Sequence, residues 1–132
     1  MIRIRSSAGS SHAIECDGAG LQALVSLLGA GAEGWLGLEA VDATGLAPYD
    51  RALTAIQVEL TGDDSKVIIK EEKGRLMIRG GRLPLEFFAV FLGSFEDLQP
   101  RGEHLHVDPY PGHPFLDATS EGVNVCPQAE PL

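Results

Sequence analysis

The stretch "IQVELTGDDSKVIIKEEKGRLMI", residues 56–78, contains three strand-like runs with no room for a helix between them. In the first run, Ile56–Leu60, apolar and polar residues alternate, which is typical of a strand with one buried face. The runs Val67–Ile69 and Leu76–Ile78 follow, and turn-forming or polar residues separate all three. This pattern predicts a meander, in which each strand pairs with the next along the chain.

Two stretches with helical character flank these runs. In the first, apolar residues recur at the spacing that lines one face of a helix, at Leu21, Leu24, Val25 and Leu28. Asp17 is placed to cap this helix, and Gly29 or Gly31 to end it. The second begins near Pro84 and continues through "LEFFAVFLGSFEDL". It is apolar at nearly every position from 85 to 92, so we expect neighbours to cover it on more than one side.

Further strand patterns lie near both ends of the chain. They are Met1–Arg5, "SHAIECDG", Trp35–Val41, Glu103–Asp108 and a last short run around Val123 and Val125. Strands joined by hairpins, rather than by regular strand–helix alternation, predict an α+β fold. We expect a mainly antiparallel sheet with the two helices packed on one face, in a single domain of residues 1–132.

The charge distribution bears on the class of partner. The net charge is −9, and no lysine or arginine occurs in Ser6–Asp50 or Gly102–Leu132, whereas basic residues cluster in Arg51–Arg82. Such a field repels phosphate backbones, so nucleic acid is not expected as a partner. It favours a basic protein, because opposite charges speed the encounter of two partners.

The location of the protein is predicted from what the sequence lacks. No apolar run approaches the ~20 residues of a membrane span, and the first residues alternate like a strand instead of resembling a secretory signal. We expect a cytoplasmic protein without membrane association. Cys16 and Cys126 are far apart in sequence and favour two reduced thiols, although pairing depends on the geometry of the fold.

Three of the four histidines lie in "HLHVDPYPGHPFLD", His104 to Asp117. If the segment opens with a strand, a period of two places His104, His106 and Asp108 on one face. Such side chains, completed by His113, are of the type that holds zinc. A small metal-dependent enzyme is therefore the alternative hypothesis. The metallo-β-lactamase motif that H-x-H-x-D resembles continues with a histidine, where this chain has Pro109.

Other signs of catalysis or of a bound cofactor are absent from the sequence. No serine lies in a G-x-S-x-G elbow, and neither a dinucleotide-binding G-x-G-x-x-G nor a phosphate-binding G-K-[ST] loop occurs. We therefore expect a binding protein rather than an enzyme, with no cofactor and no metal ion.

The prolines of the histidine segment indicate a rigid loop. Pro109, Pro111 and Pro114 fix their own φ angles and restrict the preceding residues, so few conformations are lost when the loop binds a partner. The alternative is that the loop closes one end of the sheet. We expect His104, His106, Asp108, Tyr110 and His113 to contact the partner. Within the loop, Tyr110 and His113 are expected to be exposed and Phe115 to be mainly structural.

The passage from His104 to about Val125 resembles the C-terminal half of the immunity protein 32 family of bacterial polymorphic toxin systems. The resemblance rests on a short H-x-H strand, the turn "DPYPGHPFL", a serine and a brief hydrophobic strand. The leading strand and the "DGAGLQALVSLL" helix are similar to the N-terminal pattern of that family. Together the two pieces cover a third to a half of the chain. The resemblance implies a cytoplasmic antitoxin that binds and neutralises a cognate toxin domain.

Overall fold

The computed structural model describes residues 1–7, 11–41, 49, 51–62, 64–95 and 104–127. These residues form nine strands and two helices. In chain order they are β1 (Ile2–Ser7), β2 (Ser11–Cys16), α1 (Gly18–Gly29), β3 (Gly34–Gly37), β4 (Arg51–Ala52), β5 (Ala55–Leu60), β6 (Ile68–Glu72), β7 (Arg75–Gly80), α2 (Arg82–Gly93), β8 (Leu105–Val107) and β9 (Gly122–Pro127). The stretch "DATGLAPYD", residues 42–50, contains the turn formers Gly, Pro and Asp, which predict a loop. Apart from Tyr49, it lies outside the described residues.

The strands form a five-stranded sheet of order β4-β1-β2-β9-β8 and a four-stranded sheet of order β3-β5-β7-β6. Within the described chain, the pairs β2–β9 and β5–β7 are parallel and the other named pairs are antiparallel. The predicted α+β class, with mostly antiparallel pairing and two helices, is confirmed. The strands are divided between two sheets, whereas the sequence pattern was interpreted as one.

Backbone hydrogen bonds among the described residues connect the sheets at several junctions, and two of these fix the path of the chain. At the first, β4 pairs with β1, and the chain then continues directly into β5 of the other sheet; the Leu53 amide donates to the Ile4 carbonyl at 3.0 Å. At the second, the end of the histidine segment runs beside the start of β6, and the chain then continues into β9. There the Val67 amide donates to the Phe115 carbonyl at 2.8 Å, and the Asp117 amide donates to the Val67 carbonyl at 2.9 Å. The second junction holds one end of the histidine segment against β6.

The predicted meander of β5, β6 and β7 is wrong, because β5 pairs with β7 in parallel and β6 lies beyond β7. The linker after β5 crosses the end of β7. The Thr61 amide donates to the Gly80 carbonyl at 2.9 Å, and the Gly81 amide donates to the Ser65 carbonyl at 2.8 Å. The hairpin between β6 and β7 is present, and its Lys73 and Gly74 both have positive φ, as a type I′ turn requires.

Both helices begin where the sequence indicates. Asp17 caps α1 by accepting a hydrogen bond from the Gly20 amide at 2.9 Å, and α1 ends at Gly29. Pro84 lies in the first turn of α2, where a missing N–H costs no helical hydrogen bond. The two helices pack against each other. Neither helix of the described chain has the length and apolar character needed to cross a membrane.

One face of α2 is exposed, contrary to the expectation that its neighbours cover it on more than one side. Leu85, Phe88 and Leu92 are buried in the core, whereas Phe87 is 59% exposed and Val90 is 73% exposed. The apolar residues of this helix thus form two stripes, one turned inward and one turned to solvent.

A hydrophobic core contains residues from both sheets and both helices. Cys16 lies in it beside Ile14, whereas Cys126 is partly exposed. Cys126 follows the core residue Val125 in β9, so its side chain projects from the other face of the five-stranded sheet. Both cysteines are free thiols, and the sheet separates them.

Candidate functional site

The strand β8 places the first part of the histidine segment. It pairs with β9, so that Leu105 lies opposite Val125 and Val107 opposite Val123, on the core side. The alternate side chains, those of His104, His106 and Asp108, are exposed on the other side. The prediction that these three share one face is confirmed.

The hypothesis of a metal site is not supported by any cluster of ligand side chains in the described residues. No group of three or more histidine, cysteine, aspartate or glutamate side chains in that part of the chain is arranged to hold a metal ion. The ring of His106 is engaged with Asn124 Oδ1 at 2.6 Å, and that of His104 lies 3.8 Å from Cys126 Sγ. His113 is turned into the protein. The four proposed ligands are therefore not arranged as a metal site.

His113 is 7% exposed, so the expectation that its ring is exposed is wrong. Its Nδ1 accepts hydrogen bonds from the backbone amides of Phe115 at 3.1 Å and Leu116 at 3.0 Å. These contacts place the remaining ring proton on Nε2. Burial, and secondarily the charge of Lys66, lower the pKa of His113, which favours this neutral form. His113 thus satisfies two amides that would otherwise be buried without a partner.

The backbone around His113 is fixed on both sides. Gly112 has φ +82°, a conformation that favours glycine, and the His113 amide donates to the Tyr110 carbonyl at 3.1 Å. Lys66 Nζ donates to the His113 carbonyl at 2.8 Å. We call residues 108–117 the proline turn. Its tip is stiffened by prolines, and its base is hydrogen-bonded to the chain before β6.

A row of aromatic rings extends from the surface of the proline turn to the core. The ring centroids of Tyr110 and His113 are 4.6 Å apart, and those of His113 and Phe115 are 4.5 Å apart. Phe115 stacks on Phe88 of α2 at 5.0 Å and contacts Phe91 at 5.7 Å. Tyr110 is 52% exposed and Phe115 is buried, as expected. The exposed ring is therefore supported from below by packed rings.

A cleft of about 390 Å³ lies between the proline turn, β8 and the exposed face of α2. It is lined by Phe91, His106, Asp108, Tyr110, His113, Pro114 and Phe115. Four of the five residues expected to contact a partner thus border one cleft, while His104 does not line it. Phe91 is the residue that the sequence interpretation missed. Its signal was the second apolar stripe of α2, at Leu83, Phe87, Val90 and Phe91.

The fourth histidine, His12, lies in a buried chain of hydrogen bonds. Its Nδ1 is 2.7 Å from Ser6 Oγ, and its Nε2 is 2.8 Å from Glu121 Oε1. A serine, a histidine and a carboxylate in this order are the components of nucleophilic catalysis. Here the Ser6 hydroxyl is fully buried, so a substrate does not reach it. The chain of contacts links β1 and β2 to the residue that precedes β9.

The two thiols are not activated as nucleophiles. Burial raises the pKa of Cys16 to about 11 and also raises the pKa of Cys126. Reactive cysteines have lowered pKa values, because the thiolate is the attacking species. At neutral pH both side chains are therefore protonated.

No protein-family model, curated protein or solved structure matches the chain.

Proposed function

We propose that this protein is an immunity protein that acts in the cytoplasm, where it binds and neutralises a cognate toxin domain of basic charge. The observation that carries the proposal is the proline turn, where the half-exposed Tyr110 stands on a base fixed by hydrogen bonds to His113. A rigid aromatic anchor loses little conformational entropy when it binds, which is a property of interface hot spots.

The surface around Tyr110 offers further apolar residues for a protein interface. The cleft beside it includes Phe91, and the exposed stripe of α2 continues from there through Phe87 and Leu83. Apolar and aromatic residues that lie together on a surface are typical of protein-binding sites. His106 and Asp108 add polar groups at the rim of the cleft.

Charge supports a basic partner. Asp108 is exposed, and no salt bridge within the described residues joins it to a cation. The net charge of −9 adds a long-range attraction for a cationic domain. The resemblance of His104–Val125 to the immunity protein 32 family supports the same function.

The experiment is co-expression with the toxin domain encoded beside the gene in its native genome. We expect the toxin alone to arrest growth of the host cell and this protein to restore it, with the two proteins copurifying. Continued growth arrest despite folded, abundant immunity protein contradicts the proposal. A toxin domain that is inhibited without forming a complex contradicts the binding mechanism.

A further inference from the structure

A second surface lies on the outward face of the four-stranded sheet, away from the proline turn. In β3, β5 and β7 the core-facing residues include Leu36, Ile56 and Leu76, so the intervening positions point outward. The register places Trp35 beside Gln57, Gln57 beside Met77, and Met77 beside Lys70, which forms a row across all four strands. The neighbouring row contains Ala55, Arg75 and Glu72.

The first feature of this surface is an exposed indole next to a hollow. Trp35 is 71% exposed, and a hollow of about 360 Å³ is lined by Trp35, Ala55, Gln57 and Arg75. The small side chain of Ala55 leaves space between the indole and the guanidinium. A second groove of about 520 Å³ shares Gln57 and Arg75 with the hollow and extends to Lys73 and Arg79. The two form one path across the sheet.

The second feature is an excess of positive charge, because four cations (Lys70, Lys73, Arg75 and Arg79) share this surface with two carboxylates (Glu59 and Glu72). Arg79 bonds to two carboxylates, Glu59 at 2.9 Å and Glu72 at 2.6 Å, which more than compensate its charge. The charge of Glu72 also interacts with those of Lys70 and Lys73. Over the residues that the structure describes, Lys70, Lys73 and Arg75 make no ion pair with a carboxylate, and all three are exposed. Arg75 donates only to the Gln57 side-chain oxygen, at 2.9 Å.

The other arginines in the part of the chain that the structure describes are paired. Arg3 and Arg5 both contact Glu15, Arg51 contacts Glu71, and Arg82 lies 3.7 Å from Glu86. Among the described residues, the cations that make no ion pair with a carboxylate are Lys66, at the proline turn, and Lys70, Lys73 and Arg75, which lie together near the exposed Trp35.

We propose that this face, formed by Trp35, Gln57, Lys70, Lys73 and Arg75 and here called the Trp35 face, binds a short acidic segment of a protein partner. Carboxylates of the segment pair with the arginine and the two lysines, and an aromatic side chain of the segment packs on the indole above Ala55. Neighbouring strands are ~4.8 Å apart, so the row spans ~14 Å, which an extended segment of about four residues covers.

An acidic peptide fits this surface better than a nucleic acid. Over the described residues, the Trp35 face has three cations that make no ion pair, whereas the protein as a whole carries −9. A nucleic acid strand extends beyond the face and meets that negative field with every further phosphate. A short peptide places its charges only where the cations are.

The Trp35 face is separate from the proline turn, and the two proposals stand or fall independently. The toxin is proposed to bind at Tyr110, on the far end of the aromatic row that leads to α2. The acidic segment is proposed to bind on β3, β5, β6 and β7. A test that observes Trp35 alone therefore distinguishes the failure of one proposal from the failure of the other.

Intrinsic fluorescence provides that test, because Trp35 is the single tryptophan of the chain. The purified protein is titrated with an unlabelled peptide that has glutamate at every second position, serine between the glutamates, and one phenylalanine in line with the glutamates, so that its acidic and aromatic side chains point to one side. We expect a saturable change in tryptophan emission below about 1 mM peptide. We expect Arg75→Gln to raise the dissociation constant about two- to fivefold, since an exposed charge pair contributes energy of that order. Arg82→Gln is the matched control, an exposed arginine outside the face, and is expected to bind like the wild type.

Two further ligands complete the experiment. A peptide with lysine in place of glutamate is expected not to bind, and a short oligothymidylate is expected to bind more weakly than the acidic peptide. The proposal is overturned if the acidic peptide gives no saturable change, or if Arg75→Gln and Arg82→Gln bind it equally well. Tighter binding of the oligothymidylate also overturns it and identifies a single-stranded nucleic acid site instead.

Discussion

The rings of Tyr110 and His113 lie 4.6 Å apart between centroids, yet Tyr110 is 52% exposed and His113 is 7% exposed. The buried ring holds the backbone of the turn through Nδ1, and the exposed ring rests against it. Within this short segment, His113 therefore stabilises the turn, and Tyr110 is the residue that is free to contact a partner.

The role of His113 makes stability depend on pH. Burial lowers the pKa of His113 in the folded state below its ordinary value of 6.5, so the unfolded chain binds the proton more readily. This contribution to stability is present above pH 6.5 and is lost as the pH falls below it. We expect His113→Gln to show a smaller loss of stability from pH 7 to pH 5 than the wild type, measured by urea unfolding at each pH. Parallel curves for the two proteins would show that His113 does not titrate differently on folding.

Phe115 and Phe87 form a matched pair of phenylalanines with opposite surroundings. Phe115 is buried and stacks on Phe88, so we expect Phe115→Ala to lower the free energy of unfolding by about 3–5 kcal/mol. Phe87 is 59% exposed, and Phe87→Ala is expected to change it by less than about 1 kcal/mol. Urea unfolding of both variants tests the assignment. Equal losses in the free energy of unfolding would mean that Phe87, on the exposed stripe of α2, is buried in solution.

The backbone of the proline turn is tested at Gly112. Because Gly112 has φ +82°, we expect Gly112→Ala to lower the free energy of unfolding by about 1–2 kcal/mol. Gly93→Ala is the control, since Gly93 ends α2 and a Cβ there meets only Val25 at 4.0 Å. It is expected to be neutral or stabilising by up to about 1 kcal/mol. A neutral result at Gly112 would contradict the rigid turn.

Charge steering is tested by the kinetics of toxin binding. With a net charge of −9 and a basic partner, we expect the association rate constant to fall by at least about tenfold between 0.05 M and 0.5 M salt. The dissociation rate constant is expected to change less. Stopped-flow mixing of the two proteins measures both. An association rate that does not respond to salt removes the electrostatic argument for a basic toxin.

The sequence predicted the elements of this fold better than their pairing. Period-two alternation identified β1 and β5, and Asp17 with the apolar spacing after it identified α1, because these signals are local. The short strand β4 was not predicted, and β3 ends at Gly37, before the predicted Val41. The parallel β5–β7 pair was missed, since the sequence does not show that the linker crosses the end of β7. The second sheet was missed for the same reason, as pairing between distant strands leaves no local pattern.

In the site, exposure could be predicted for some residues and not for others. Alternation placed His106 and Asp108 on the outward face of β8 correctly, because a strand fixes the direction of its side chains. His113 follows a glycine with positive φ and lies outside any helix or strand. No regular alternation of side chains therefore predicts whether its ring points inward or outward. Its burial is determined by two amides that need an acceptor, at Phe115 and Leu116.

The most direct test of the immunity function and its location is a binding titration of the neighbouring toxin domain with Tyr110→Ala. We expect the dissociation constant to rise by about 30-fold or more, or ~2 kcal/mol, while the free energy of unfolding changes by less than about 1 kcal/mol. Trp35→Ala, which removes an exposed aromatic ring from the other surface, is the control and is expected to bind like the wild type. Wild-type affinity in a folded Tyr110→Ala protein, measured by calorimetry, would contradict the claim that the proline turn binds the toxin.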